Sequence, residues 1–540
     1  MDDSAAESPV EWREWGEETF AAAQESGRPV LLSLSATWCA DCHEMDEETY
    51  ANPGIAANVN EGFVPVRVDV DRHPRVRDRY NMGGFPSTVF CTPDGRILTG
   101  ATALGPEGMR QVLERIREVW NERGEEAGRV PRALRDGTPP AGELRSDVEG
   151  QLVGRLEAEF DAEHGGWGDG PKFPLPRTVE FALKREREQA TRTLDAIRRH
   201  LFDGYEGGFF RYAAGRDWSE IAHEKLLDTN AALLRTFANA YLATGEEHYR
   251  EPAARTVGYL TTTLWTGDGF AASQAPGPEE SYGSPGAREG AIPPADEVVL
   301  ADRNALAIDA LLTYHAYTDD ETASRFAERA LEGLSGLIDE GSVAHFDGGE
   351  RSVLADQART IEALTTAREV LGDREALSTA REVADHTIET LYDGTAFRDG
   401  PEAGAGLCSR ALYPLDTAVE LADALVDLAV LADEPRYRKH ARGALSAFAA
   451  ASGRFGAEVA SYGTVASRLG DDLLTIRVGT PAGSDLHRAA LRIADHEAVV
   501  VPDDPELDGV ALARVGEHET GTARTPAALE RQVTELFAEI

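Results

Sequence analysis

Residues 29–43 read Pro29-Val30-Leu31-Leu32-Ser33-Leu34-Ser35-Ala36-Thr37-Trp38-Cys39-Ala40-Asp41-Cys42-His43. The run 29–35 is short and apolar, which predicts a buried strand. A cysteine pair at C-x-x-C spacing follows it, where Cys42–Tyr50 takes up helical spacing. At such a junction Cys39 meets the unpaired N–H groups and the positive end of a helix. That setting lowers a thiol pKa into the range of roughly 3.5–7.5. Cys42, one turn later, is within reach to resolve a mixed disulfide. His43 favours the thiolate when protonated, and Asp41 opposes it.

On either side, Trp12–Gln24 has apolar positions at helical spacing, and Phe63–Val70 and Ser87–Cys91 read as strands. Thr92-Pro93-Asp94-Gly95 is a turn into Arg96–Thr99, and Pro106–Glu122 closes with a helix. This is the order of a thioredoxin-like α/β domain. Gly83-Gly84-Phe85-Pro86 stands just before the third strand. A cis Phe85–Pro86 bond packed against the cysteines is expected there, where a substrate chain would lie beside Trp38 and His43. Ser33 takes the place, six residues before Cys39, where thioredoxins carry a buried Asp that assists proton transfer. Three other readings of the pair stay open: the C-x-x-C-H haem-attachment string, a zinc site, and a structural pair without turnover. No second zinc knuckle is spaced for the second of these. No metal and no cofactor is expected.

The chain has 540 residues, 54 basic and 95 acidic, for a formal net charge of −41. Such a balance argues against nucleic acid and against an anionic membrane as partners. Only Lys172, Lys184, Lys225 and Lys439 are lysines. An acidic, arginine-dominated, lysine-poor surface suits molar salt, where screening acts over roughly 3 Å, and predicts a halophilic archaeal source. Met1–Val10 is polar and acidic rather than leader-like, and no apolar run approaches the roughly 18 residues of a membrane span. A cytoplasmic location is expected. The four cysteines exclude a disulfide scaffold, and Cys91 and Cys408 read as buried small hydrophobes.

Boundaries are placed at 1–125 for the thioredoxin-like domain, 126–145 for a Gly/Arg/Pro-rich linker, 146–470 for a helical domain and 471–540 for a small α/β appendix. The helical domain repeats a hairpin unit, as in Leu242–Leu260, Tyr317–Leu334 and Leu431–Phe448. Eleven or twelve such helices with Gly-Gly-aromatic loops predict an (α/α)6 toroid of the six-hairpin glycosidase type. An α-solenoid is the alternative. In the appendix, Leu473–Val478 and Glu497–Val501 read as strands around a helix 484–494, and Thr525-Pro526 opens a last helix.

Several separated motifs, in order, resemble the spermatogenesis-associated protein 20 (YyaL) family. They are Pro9–Trp12, Trp15–Phe20, the C-x-x-C-H string, Phe63–Asp69, Gly84–Pro86, Thr92–Gly95, Phe160–Gly166, Pro171–Pro174, Gly207–Tyr212, Trp218, Glu224-Lys225 and Asp302–Leu306. The resemblance implies an N-terminal thioredoxin-like domain joined to a six-hairpin toroid. Against the family pattern, Ala40-Asp41 replaces a histidine-containing pair and the acidic cluster after Phe270 is missing. His223 and Asp228 are each offset by one place.

Toroids of sugar enzymes place acid–base groups at inner helix ends. Candidates here are His164, His223, Glu224, Asp228 and Asp416, each of which also suits a helix-end cap or ion pair. Trp167, Phe173, Phe209, Phe210, Tyr212 and Trp218 could stack a sugar ring or fill hairpin corners. Lys225 is expected to pair with Glu224 or a neighbouring carboxylate. The leading reading is a thiol–disulfide oxidoreductase acting on a protein or small-molecule disulfide, with Cys39 attacking, Cys42 resolving and the toroid holding a client or ligand. A carbohydrate-active enzyme with a regulatory thioredoxin domain and a sugar-like ligand in the toroid cleft is the second. A non-catalytic binding or scaffold protein is the third.

Overall fold

The computed structural model describes residues 8–135, 137–282, 292–470 and 472–539. The chain divides into two compact units. One comprises residues 1–137 with 399–412, and the other comprises 138–398 with 413–540.

In the first unit the strands are β1 (Val30–Ser35), β2 (Val64–Asp69), β3 (Ser87–Cys91) and β4 (Ile97–Ala101). They form one sheet in the order β2-β1-β3-β4, with β1 parallel to β2 and antiparallel to β3. The run 30–34, apolar but for Ser33, is buried on both faces, as suits a central strand. Its helices are α1 (Glu17–Ser26), α2 (Ala40–Met45), α3 (Pro53–Gly62), α4 (Pro74–Tyr80) and α5 (Pro106–Arg123). Met109, Leu113 and Ile116 give α5 one apolar stripe, which packs with Leu31, Phe63 and Phe90. This is the expected thioredoxin-like domain, including the β3–β4 hairpin.

Two local expectations change. The first helix begins at Glu17, not Trp12, because Arg13 runs along β2 and exchanges backbone bonds of 3.0 Å with Pro65 and Arg67. That contact covers the sheet edge. Residues 126–135 are not a free linker either: Arg129 and Ile97 exchange two backbone bonds of 2.9 Å. Residues 399–412 join this unit through Asp399, which faces Arg75 Nε at 3.2 Å and Arg79 Nη2 at 3.0 Å, all three side chains buried. The expected leader-free start, Met1–Val10, falls largely on residues 1–7, outside the described residues.

The second unit is built on twelve helices between 148 and 468 among the described residues. Six form an inner ring: α7 (Pro176–Arg185), α9 (Leu227–Thr244), α11 (Ala301–Thr318), α13 (Leu354–Leu371), α15 (Leu415–Leu431) and α17 (Ser461–Arg468). Each touches the next, and α17 returns to α7, so the ring is closed. Each inner helix packs on an outer partner: α8 (Arg187–His200), α10 (Glu247–Tyr259), α12 (Glu321–Ser335), α14 (Arg374–Leu391), α16 (Pro435–Ser446) and, for α17, α6 (Val148–Glu159). That closure makes the expected (α/α)6 toroid and excludes an open solenoid. The inner helices are buried nearly all round, as in α11 and α13, whereas α12 and α14 bury one stripe.

The appendix has a sheet in the order 499–501, 474–478, 511–515, 518–519, with helices α18 (Asp485–Leu491) and α19 (Pro526–Glu539). The last two strands were not read from sequence; the alanine-rich alternation of Ala511–Val515 is a weak strand signal. Strand 499–501 packs on α13 and α15, so the appendix closes the C-terminal end of the ring.

Candidate functional site

The cysteines lie where β1 ends and α2 begins. They are joined as a disulfide with Cα atoms 5.2 Å apart. Cys39 is the N-cap of α2, and the Cys42 amide donates to its sulfur at 3.2 Å. Both residues are buried, Cys39 at 6% and Cys42 at 4% exposure. Phe85–Pro86 is cis, and the Phe85 ring meets the Trp38 ring edge-on at 6.1 Å. The exposed His43 points a ring nitrogen at the Thr37 carbonyl, 2.9 Å away. Ser33 is buried on β1, opposite Thr88 and Arg67 in register, so a neutral hydroxyl occupies that position.

Sequence reasoning missed Asp71. This carboxylate is 3% exposed and accepts the Trp38 indole N–H at 2.7 Å, one residue from Cys39. Its signal was an acidic residue just past strand β2, but the contact spans 33 positions. Cys91 and Cys408 are buried and unbridged, and burial pushes the Cys91 thiol well up. Neither belongs to the redox pair.

The toroid separates the candidate residues. Trp167, Phe209 and Trp218 are 6%, 0% and 1% exposed and belong to the core. The reason is a repeated corner: Phe160 pairs with Trp167, Phe202 with Phe209 and Trp265 with Phe270 as short antiparallel bridges. An amide one turn into the next inner helix locks each of two corners, Asn230 on Phe209 (2.7 Å) and Asn304 on Phe270 (2.8 Å). Trp167 and Phe209 close hairpins, and Trp218 is buried with its indole N–H on the His164 carbonyl, so the stacking expectation is corrected for these three. Gly208 makes the corner possible: its φ is 73° and a Cβ would meet Tyr259 and Asn230 at 2.6–2.7 Å.

Tyr212 stacks on the exposed Phe173, with centroids 4.6 Å apart. His223 stacks on Tyr282 at 3.7 Å, with Phe210 edge-on to both, beside a cavity of about 270 Å³ that Lys225 also lines. Lys225 does not pair with Glu224. It is buried against Asp203 (2.6 Å) and Glu206 (3.1 Å), while Glu224 takes Arg211 at 3.1 Å. His164 gives its carbonyl to the Trp218 indole at 3.0 Å.

Asp228 and Asp416 stand in the first turns of α9 and α15, as Asp302 does in α11 and Asp356 in α13. First-turn carboxylates suit the positive helix end. Burial raises the Asp416 pKa, as do the charges of Glu420 and Glu458, against Arg177 and Arg359.

The axis of the ring is filled by ion pairs that no sequence motif announced. Arg359 reaches Asp302 at 2.8 Å and Glu420 at 2.8 Å. Arg177 reaches Glu362 at 3.1 Å and Glu420 at 3.5 Å. Arg235 reaches Glu180 at 2.9 Å, Asp309 at 2.9 Å and Glu362 at 2.6 Å. Arg468 pairs with Asp423 and Asp427. Burial works against the Glu362 carboxylate, but Arg177 and Arg235 outweigh it and hold its pKa at about 2. Toward the C-terminal ends of the inner helices a cavity of about 140 Å³ remains, lined by Asp309, Glu369, Asp427 and, from the appendix, Glu497. There burial, with the charge of Asp423, raises the Asp427 pKa to about 6 despite Arg468. Among the described residues no helix is long and apolar enough to cross a membrane.

Residues 3–136 match the family Thioredox_DsbH, a protein of unknown function, DUF255. The chain is 30% identical over 328 residues to spermatogenesis-associated protein 20 of Homo sapiens, covering 53% of this chain and 41% of that protein. It thus spans about two fifths of that relative's length. A stretch of 104 residues is 29% identical to the thiol:disulfide interchange protein DsbD 1 of Pseudomonas aeruginosa, covering 18% of this chain and 17% of that one. Among solved structures, cellobiose 2-epimerase from Spirochaeta thermophila is similar at 19% identity and a TM-score of 0.45, over 56% of this chain and 83% of that one. The N-terminal unit is a Thioredox_DsbH (DUF255) domain, carried in a chain similar to spermatogenesis-associated protein 20.

Proposed function

We propose that the chain is a thiol–disulfide oxidoreductase acting in the cytoplasm on a protein or small-molecule disulfide, with the toroid holding a client or ligand. The observation that carries this is the Cys39–Cys42 disulfide at the start of α2, preceded by Trp38, whose ring Phe85 meets ahead of the cis Pro86. In the reduced pair, the Cys39 thiolate attacks one sulfur of the substrate disulfide. The substrate S–S bond breaks, the other substrate sulfur leaves as a thiolate and takes a proton, and a mixed disulfide remains. Cys42, as thiolate, then attacks Cys39, re-forming the disulfide and releasing the second substrate thiol. The substrate gains two electrons, and an external dithiol returns the pair to its reduced form. The backbone N–H of Cys42, aimed at Cys39 Sγ, stabilises the attacking thiolate.

A redox titration of the full chain in molar KCl, read by thiol mass-tagging in glutathione and dithiothreitol buffers, tests this. A reversible two-electron transition within the roughly −180 to −270 mV of thiol oxidoreductases supports it. Disulfide exchange that survives Cys39→Ser, or a pair that never oxidises, overturns it.

The second reading, a sugar-like ligand in the toroid, is favoured by one cavity among the described residues. The cavity beside His223, Phe210 and Tyr282 offers stacked rings and the polar groups of Gln274 and Lys225. Binding of any member of a sugar panel that weakens in His223→Ala supports it; no binding across the panel removes it.

A further inference from the structure

At the N-terminal ends of α11 and α13, away from the cysteines in sequence and in a different unit, one cluster combines an imidazole with two carboxylates. One ligand atom from each of Asp302, His345 and Asp356 lies within 4.8 Å of the other two. His345 Nδ1 is 2.9 Å from Asp356 Oδ1 and 3.9 Å from Asp302 Oδ1. Donor atoms within that span can be bridged by one ion at the roughly 2.0–2.4 Å that imidazole nitrogen and carboxylate oxygen keep to a divalent cation. We infer that Asp302, His345 and Asp356 form a binding site for a divalent first-row cation.

The surroundings hold each donor from behind. The His345 amide donates to the Glu350 carbonyl at 2.8 Å, and its carbonyl accepts from Ala301 N–H at 2.7 Å. Asp356, fully buried, accepts from the Asp302 amide at 3.1 Å. Asp302 turns Oδ2 to Arg359 at 2.8 Å, which leaves Oδ1 toward His345, and Arg359 is itself fixed by Glu420 at 2.8 Å. Outer groups that orient ligand atoms in this way are the ordinary support of a metal site. Two carboxylates, Asp302 and Asp356, meet at one imidazole. A divalent cation placed there would balance both carboxylates, with the imidazole binding neutral through Nδ1 and its proton on Nε2. One nitrogen, hard oxygens and no thiolate favour Mn2+, Co2+ or Zn2+.

The test is a titration of the full chain with Mn2+, followed by electron paramagnetic resonance, with Co2+ absorption as a second probe. One ion per chain that persists through dialysis is expected, with nitrogen coupling from a single imidazole on Mn2+. His345→Gln and Asp356→Asn should each weaken binding at least tenfold, while Cys39→Ser leaves it unchanged. The inference is overturned by absence of stoichiometric binding, by binding without nitrogen coupling, by unchanged affinity in His345→Gln, or by loss in Cys39→Ser. The coupling on the unaltered chain decides the matter even where the variants fail to fold.

Discussion

The Trp38 indole donates its N–H to the buried carboxylate of Asp71 at 2.7 Å, directly beside Cys39. The bond fixes the ring that Phe85 meets edge-on, so it shapes the wall next to the redox pair.

Removing the acceptor takes this hydrogen bond from a buried donor. Asp71→Ala is expected to destabilise the first unit by about 1–3 kcal/mol, whereas Asp71→Asn, which keeps a carbonyl oxygen, loses less. Thermal unfolding of both variants, followed by tryptophan fluorescence, checks this. Equal losses would show that the hydrogen bond is not what matters at this position.

Asp399 balances two guanidinium groups, Arg75 and Arg79, whose side chains are 3% and 0% exposed. Deleting it removes the carboxylate that faces both buried guanidinium groups. Asp399→Ala should cost about 3–5 kcal/mol of stability, the range for breaking a buried pair. The loss should be clearly greater than for Asp94→Ala, whose partner Arg96 is partly exposed. Denaturant midpoints for the two variants decide it, and similar midpoints would contradict the account.

What could be read from sequence was local. Residues 29–35, the C-x-x-C spacing, the turn 92–95 and the hairpin repeat each carry their information within one element, and each forms as read. The toroid candidates depended on which rings face inward, and that is set by partners far along the chain. Trp167 and Phe209 carry the same aromatic signal whether they stack a ligand or close a hairpin corner. Only the pairing with Phe160 and Phe202 distinguishes the two. The axial pairs are similar: Arg235 meets Glu362 across 127 positions, a distance at which no spacing rule operates. The recurrent apolar-Asp start of the inner helices, at Leu227-Asp228, Ala301-Asp302 and Leu415-Asp416, was a visible trace of the ring's N-terminal end.

Glu362 joins Arg177 and Arg235 across the axis. Its folded pKa of about 2 lies below the ordinary 4.5. Its contribution is therefore present above pH 4.5 and is lost as pH falls toward 2. Glu362→Gln should destabilise the second unit by about 3–5 kcal/mol near neutrality. The gap between variant and parent should close on acidification through that window. Unfolding curves of both proteins from pH 7 to pH 3 test it; a gap that stays constant with pH would remove the ion pair as its cause.

Asp427 behaves in the opposite sense. Burial and the nearby Asp423 carry its folded pKa up to about 6 from the ordinary 3.8, even with Arg468 alongside. Between those two values the folded chain holds a proton that the unfolded chain has released. The contribution to stability is then full below pH 3.8 and falls away as pH rises through 6. Asp427→Asn carries a permanently uncharged group and does not share that decline. The variant should gain on the parent in melting temperature as pH rises from 4 to 7, with the change levelling off above 6. Subtracting the two melting curves at each pH cancels the titration of the other carboxylates. A difference that is flat across the window, or that falls with rising pH, would show that Asp427 enters the closed end of the ring already ionised.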